Sequence, residues 1–181
     1  VPLSIADAPR FPWRGLLLDT SNHYISISII AKFLDAMAAV KLNVLHWHLV
    51  DSYSFPFKSE IFPGLAESGA WLYEEGNGAK NAVYEAADLE RVESLARERG
   101  IRVVIEMDMP GNGFSWGLNE DFKEITTSCP RYTDELGHID DVPLDPTLSK
   151  TYDVVNQLMK EIVGIFPDMY LHVGGDEVKY G

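Results

Sequence analysis

Apolar and polar positions along this chain follow two alternating rhythms. "GLLLDTS" (15–21) reads as a buried strand with a polar end, and "SIIAKFLDAMAAVKL" (28–42) follows at helical spacing. There Ile29, Ile30, Phe33, Met37 and Val40 are expected on one stripe, with Ser28 as the N-cap. "NVLHWHLVD" (43–51) is strand-like again. "DLERVESLARERG" (88–100) is helical, with Leu89, Val92, Leu95 and Ala96 facing one way, Asp88 at its start and Gly100 at its end. "IRVVIEMDMP" (101–110) is a third strand stopped by proline. "SKTYDVVNQLMKEIVGIFP" (149–167) is a helix carrying Val154, Val155, Leu158, Met159, Ile162 and Val163, and "MYLHVGG" is a fourth strand. Strand and helix in regular succession imply parallel strands joined by right-handed crossovers.

The connections are unequal. Those leaving the second and third strands run over about 51–87 and 110–148, whereas those entering strands are short. Long loops in compact domains are usually functional, and parallel α/β folds place their sites at the C-terminal ends of strands. Strand parity adds a second asymmetry. His46, His48 and Val50 share one face of the second strand, with Trp47 and Leu49 on the other. Glu106 and Asp108 share a face of the third, and His172 lies opposite Leu171 and Val173 on the fourth. A doubly wound sheet is apolar on both faces. A face that grows polar toward the strand ends is instead the lumen of an α/β (β/α)8 TIM barrel. Four β/α units are half of one, so residues 1–181 read as a single partial domain.

Charge and composition narrow the function. The 181 residues carry 28 acids against 15 bases, a net charge of −13. That argues against nucleic acid as a partner, because phosphate binding needs a basic face. No apolar run reaches the ~20 residues of a membrane span, and the first residues show no signal-peptide pattern. Cys129 is the single cysteine and has no partner within the chain.

"FPWRGLLLDTSNHYI", "DAMAAVKLNVLHWHLVDSYSFPF", "RERGIRVVIEMDMPG", "SWG" and "FPDMYLHVGGDEV" occur in this order over nearly the whole chain. Together they resemble the β-N-acetylhexosaminidases of glycoside hydrolase family twenty, over the first half of that family's catalytic barrel. The resemblance implies removal of terminal N-acetylglucosamine or N-acetylgalactosamine from glycans and glycoconjugates. It implies no cofactor and no metal, a lysosomal or secreted setting and a possible homodimer. By position, Glu177 matches the general acid/base and Asp176 the residue that orients the substrate's 2-acetamido group. The acetamido oxygen is the nucleophile in this family, outside the usual two-carboxylate scheme. Arg14 matches an arginine that holds sugar hydroxyls, Asp51 an aspartate supporting the catalytic acid through a histidine, and Asp108 an acidic neighbour. Where the family's third-strand motif ends Pro-Gly-His, this chain reads Pro110-Gly111-Asn112. Asparagine hydrogen-bonds but carries no proton charge near neutral pH, and it is expected between Asp51 and Glu177. Relatives of this kind often pair the cysteine corresponding to Cys129 with one shortly after the Asp-Glu motif.

Other readings weigh against these. Adjacent acids are ordinarily a solvated loop pair, and here Gly174-Gly175 predicts a distorted strand end that lets both address one site. His46 and His48 read as core histidines ahead of metal ligands. His23, His138 and His172 carry no signal beyond position, and the tryptophans read as packing. A metal-dependent barrel hydrolase would draw on His46, His48, Asp51 and His172. A non-catalytic sugar-binding fragment is the other alternative.

Overall fold

A computed structural model describes residues 2–75, 78–127 and 142–178. Its main sheet is parallel, with β1 (Gly15–Asp19), β2 (Val44–Val50) and β5 (Arg102–Met107) in the order β1-β2-β5. The fourth expected strand continues this order by one short bridge. Glu106 pairs with His172, the His172 N–H donates to Ile105 O at 3.0 Å, and the Met109 N–H donates to Val173 O at 2.9 Å. The sequence order of the strands is thus their spatial order, as a barrel wall requires.

Helices α1 (Ile27–Ala39), α3 (Ala86–Glu98) and α4 (Ser149–Ile165) cover the outer face. Their buried apolar residues are Ile30, Leu34 and Met37 on α1, Leu89, Val92 and Ala96 on α3, and Val154, Leu158 and Ile162 on α4. Each large aliphatic side chain removed from water contributes about 1.5–3 kcal/mol. Trp47, fully buried on β2, joins sheet to helices through edge contacts with Tyr84 and Phe166, and its indole N–H donates to Thr20 Oγ1 at 2.8 Å.

Two helix starts differ from the sequence reading. The α1 N-cap is Ser26 rather than Ser28, and the inward stripe runs Ile30–Leu34–Met37. Ile29, Phe33 and Val40 are exposed on the neighbouring flank, because at 100° per residue they fall to one side of that stripe. At α3 the N-cap is Glu85, and Asp88 serves three residues later as its capping-box partner, accepting from the Glu85 N–H at 3.0 Å. Gly100, at φ +68°, closes the same helix.

The 51–87 connection is not irregular throughout. It holds α2 (Pro63–Gly69) and an antiparallel hairpin of β3 (Leu72–Glu75) and β4 (Gly78–Asn81). The later connection carries 3₁₀ turns at Phe114–Gly117 and Lys123–Ile125, with Trp116 fully buried against Phe55. Trp47 and Trp116 are packing residues as expected, whereas Trp13 and Trp71 are about half exposed. Cys129 and His138 lie outside the described residues. Among the described residues no helix is long and apolar enough to cross a membrane.

Candidate active site

The polar lumen face begins with alternation on β2, and a local irregularity completes it. His46 and His48 project to one side, but the pairing register slips between His48 and Val50. Val50 then pairs with Met107 and is buried in the core, leaving the face on which strict alternation had placed it. The slip brings the next residue, Asp51, back to the polar side, three positions from His48 and in contact with it. On β5 the alternation holds, and Glu106 and Asp108 both reach the lumen.

At the last strand end the expected distortion is present. Gly174 and Gly175 have φ +67° and +110°, and Glu177 has φ +54°. A Cβ on Gly174 would stand 1.7 Å from Asp108 Oδ1, so the bare backbone there admits the aspartate. Gly111 is equally tight: a Cβ would lie 2.3 Å from the carbonyl oxygen of Asp176. The loop after β5 and the Asp176-Glu177 segment therefore meet backbone to backbone.

Asp51, Asp108, Asn112, Asp176 and Glu177 line one open cleft of about 650 Å³ at the C-terminal ends of the strands, with Asp19, Asn22, His46, His48, Glu106 and His172. The structure does not bring Arg14 to them. Arg14 precedes β1 and so sits at the opposite end of the sheet, a strand length of about 16 Å away. Its guanidinium donates to the carbonyls of Lys41 and Phe11, both at 2.6 Å.

Asp51 is saturated with donors. The Ser21 hydroxyl and the Tyr53 N–H (2.7 Å) bond Oδ1, while Asn22 Nδ2 (3.0 Å) and His48 Nε2 (3.1 Å) bond Oδ2. Burial opposes its ionisation, yet His48, Ser21 and the Tyr53 N–H hold its carboxyl below the ordinary value. Asn112 is not between Asp51 and Glu177. It adopts φ +54°, and its Nδ2 donates to Asp108 Oδ2 at 2.7 Å while its Oδ1 lies 3.4 Å from the Ser52 hydroxyl. The reason is positional: four residues after Asp108, the turn at Gly111 folds Asn112 back onto that carboxylate. Burial pushes the Asp108 carboxyl above its ordinary value, Asn112 opposes this, and the Asp176 charge adds to it. Asp108 Oδ1 is buried with no hydrogen-bond partner among the described residues.

Glu106 is the centre that sequence reasoning missed. His46 Nε2 hydrogen-bonds its Oε2, His48 Nδ1 lies 3.1 Å from the same oxygen, and His172 Nδ1 lies 3.0 Å from Oε1. Burial works against its charge, but His46 and His48 hold its carboxyl far below the usual range. Parity had placed Glu106 and the histidines on one face; it could not show that the histidines from neighbouring strands converge on a single carboxylate. Among the described residues, donor atoms of His46, Glu106 and His172, and of Asp19, His48 and Asp51, are close enough to surround a cation. In both groups imidazole nitrogens are already turned to carboxylate oxygens, and we identify neither as a metal site.

The arrangement offers an acid pair on a flexible-geometry backbone beside a fixed ionic floor, which suits proton transfer to and from a neutral polyol. Residues 11–181 match the profile of the glycosyl hydrolase family 20 catalytic domain. The β subunit of mouse β-hexosaminidase is 45% identical over 177 residues, and that of the human enzyme 44%, each aligned to 98% of this chain. The chain spans 31% and 30% of those relatives' lengths. Among solved structures, a Vibrio harveyi exo-β-N-acetylglucosaminidase in complex with N-acetylglucosamine superposes with a TM-score of 0.81 at 28% identity, over 95% of this chain and 28% of that one. A Flavobacterium johnsoniae chitobiase superposes with a TM-score of 0.77 at 34% identity, over 93% and 24%. This chain belongs to glycosyl hydrolase family 20, and its sheet is part of that family's TIM-barrel catalytic domain.

Proposed function

We propose that residues 1–181 supply the first four β/α units of a β-N-acetylhexosaminidase that removes terminal N-acetylhexosamine residues from glycans or glycoconjugates. The observation carrying this reading is that Asp176 and Glu177, adjacent in sequence, both line the cleft formed by the ends of β2 and β5. In this reaction Glu177 donates its proton to the glycosidic oxygen as that bond breaks. The substrate's acetamido oxygen attacks the anomeric carbon, and Asp176 accepts the amide N–H and stabilises the positive charge of the oxazolinium ring. Water then attacks the anomeric carbon, giving its proton to the Glu177 carboxylate, and the ring reopens with retained configuration.

Asp108 and Asn112 share the rim of the cleft with Asp176, and Asp51 belongs to the ionic floor. Arg14, bonded to backbone carbonyls at the far end of β1, is left out of this site. A lysosomal or secreted location and a homodimer complete the proposal, supported by the likeness to the mammalian subunits. The test is hydrolysis by the full-length protein of an aryl N-acetyl-β-glucosaminide and of the matching β-glucoside. Release from the first with the second spared supports the acetamido group as nucleophile; equal rates refute it.

A further inference from the structure

The cleft concentrates negative charge, and its lining offers few ways to balance it. Asp19, Asp51, Glu106, Asp108, Asp176 and Glu177 all face it, and among the described residues that line it there is no lysine or arginine. The basic side chains among those described residues are His46, His48 and His172. These differ in what their rings meet. His46 presents one nitrogen to Glu106. His172 Nδ1 faces Glu106 but also receives the Gly174 N–H at 3.1 Å. His48 alone spans two carboxylates, Nε2 to Asp51 Oδ2 at 3.1 Å and Nδ1 to Glu106 Oε2 at 3.1 Å.

A neutral imidazole has one N–H and one lone pair. With a carboxylate oxygen at each nitrogen, the neutral ring would set its lone pair against one of them unless that carboxyl took the proton. Asp51 is a poor place for it, since its two oxygens already accept from Ser21, Tyr53, Asn22 and His48. The Glu106 oxygen facing His48 is no better, since His46 meets that same Oε2.

We propose that His48 is held as an imidazolium and is the positioning residue of the active site, clamping Asp51 to Glu106 so that the ionic floor keeps one geometry and one charge through turnover. This rests on the glycosidase reading above. Burial alone would lower the affinity of His48 for its proton, but Asp51 and Glu106 outweigh it and push its pKa up to about 10. Asp19, Asp108 and Asp176 stand around the same cleft and act in the same direction, while His46 and His172, if protonated, act against it. The clamp leaves proton exchange to the opposite rim, where Asp108, Asp176 and Glu177 lie. Displacement of a supporting group by about 1 Å can cost on the order of 10²-fold in rate.

The experiment is nitrogen NMR of the ¹⁵N-histidine-labelled full-length protein from about pH 5.5 to 9, with Glu106→Gln and His48→Gln beside it. The expected wild-type result is a ring with both nitrogens protonated throughout, absent from His48→Gln. Glu106→Gln should bring its titration into the measured range and add an alkaline limb to the pH–kcat profile. His48→Gln should lower kcat about 10- to 100-fold with KM changed less than about threefold. A singly protonated His48 in the wild type near pH 7 overturns the proposal without needing any variant to fold. So does a titration unmoved by Glu106→Gln. If no N-acetyl-β-glucosaminide is cleaved, the glycosidase reading falls while the spectrum still decides the state of His48. If cleavage is found and His48 is neutral, only this proposal falls.

Discussion

The two halves of the cleft are built on opposite terms. The floor, made of Asp51, His48 and Glu106, is anchored on β2 and β5, and its polar atoms are matched donor to acceptor. The rim, made of Asp108, Asn112, Asp176 and Glu177, has a buried oxygen with no partner among the described residues, left-handed backbone at Asn112 and Glu177, and glycines where a side chain would not fit. A saturated network fixes geometry; unsatisfied groups beside it are free to exchange protons and bind a substrate. The difference teaches where stability and chemistry part. Changes to the floor should cost both, and changes to the rim's acidic side chains should cost activity while sparing or even improving stability.

The sharpest contrast is between Glu177→Gln and Glu106→Gln in the full-length protein. Glu177→Gln should lower kcat on the order of 10²–10⁴-fold with its melting temperature unchanged. Glu106→Gln should lower the melting temperature as well. Removing one partner of a fully buried ion pair costs about 3–5 kcal/mol. In this open cleft we expect about 2 kcal/mol, a shift of roughly 4–8 °C. A floor variant that melts like the wild type would dissolve the distinction.

Gly174→Ala comes next. Its Cβ would collide with Asp108 Oδ1 at a backbone angle of +67°, a strain of about 1–3 kcal/mol. Asp176 and Glu177 should be displaced, with kcat falling at least tenfold, checked by steady-state kinetics against thermal melting. Asp108→Asn should move the two properties in opposite directions. Burial makes its ionised form unfavourable in the folded state, so the neutral amide should raise the melting temperature at pH 7 by roughly 2–4 °C while lowering kcat.

The pH dependence of stability separates the halves by sign. The stabilisation from His48 is fully present below its unfolded value of about 6.5 and is lost as pH rises through about 10. For Asp51 and Glu106, whose carboxyls are held low, it is present above about 4 and lost as pH falls through their folded values. Asp108 runs the other way, favouring the fold at acid pH. Melting temperatures should therefore peak between about pH 5 and 6.5 and fall steadily above that, and this alkaline decline should shrink in His48→Gln. The smallest effect expected is none: chelation with EDTA should leave the rate unchanged, because His48 has both nitrogens at carboxylates and His46 and His172 each turn one nitrogen to Glu106.

Much of this was legible before any coordinates. Periodicity located β1, β2, β5, α1, α3 and α4, and alternation picked the lumen face because parallel strands buried on both sides have no other use for His46, His48, Glu106 and Asp108. The glycine pair announced the irregular end that carries Asp176 and Glu177. What was missed depends on contacts between strands. The convergence of His46, His48 and His172 on Glu106 comes from three different elements, and no spacing within one of them reveals it. The register slip that turns Asp51 inward leaves no signature in "HWHLVD". Asn112 was expected between Asp51 and Glu177 and bonds Asp108 instead, since a turn four residues long reaches the nearer acid. The β3–β4 hairpin did have a signal in "YEEGNGAKN", a glycine-asparagine-glycine between short runs, which the polarity of those runs obscured.

The claim that the rim does the chemistry is tested most directly by kcat/KM for a series of aryl N-acetyl-β-glucosaminides whose phenols differ in acidity. The wild type and Glu177→Gln are measured on the same series. If Glu177 protonates the leaving oxygen, its loss matters little for strongly acidic phenols and grows steadily as the phenol becomes a poorer leaving group. A loss of equal size across the whole series would show that Glu177 does not supply that proton, and would contradict the account.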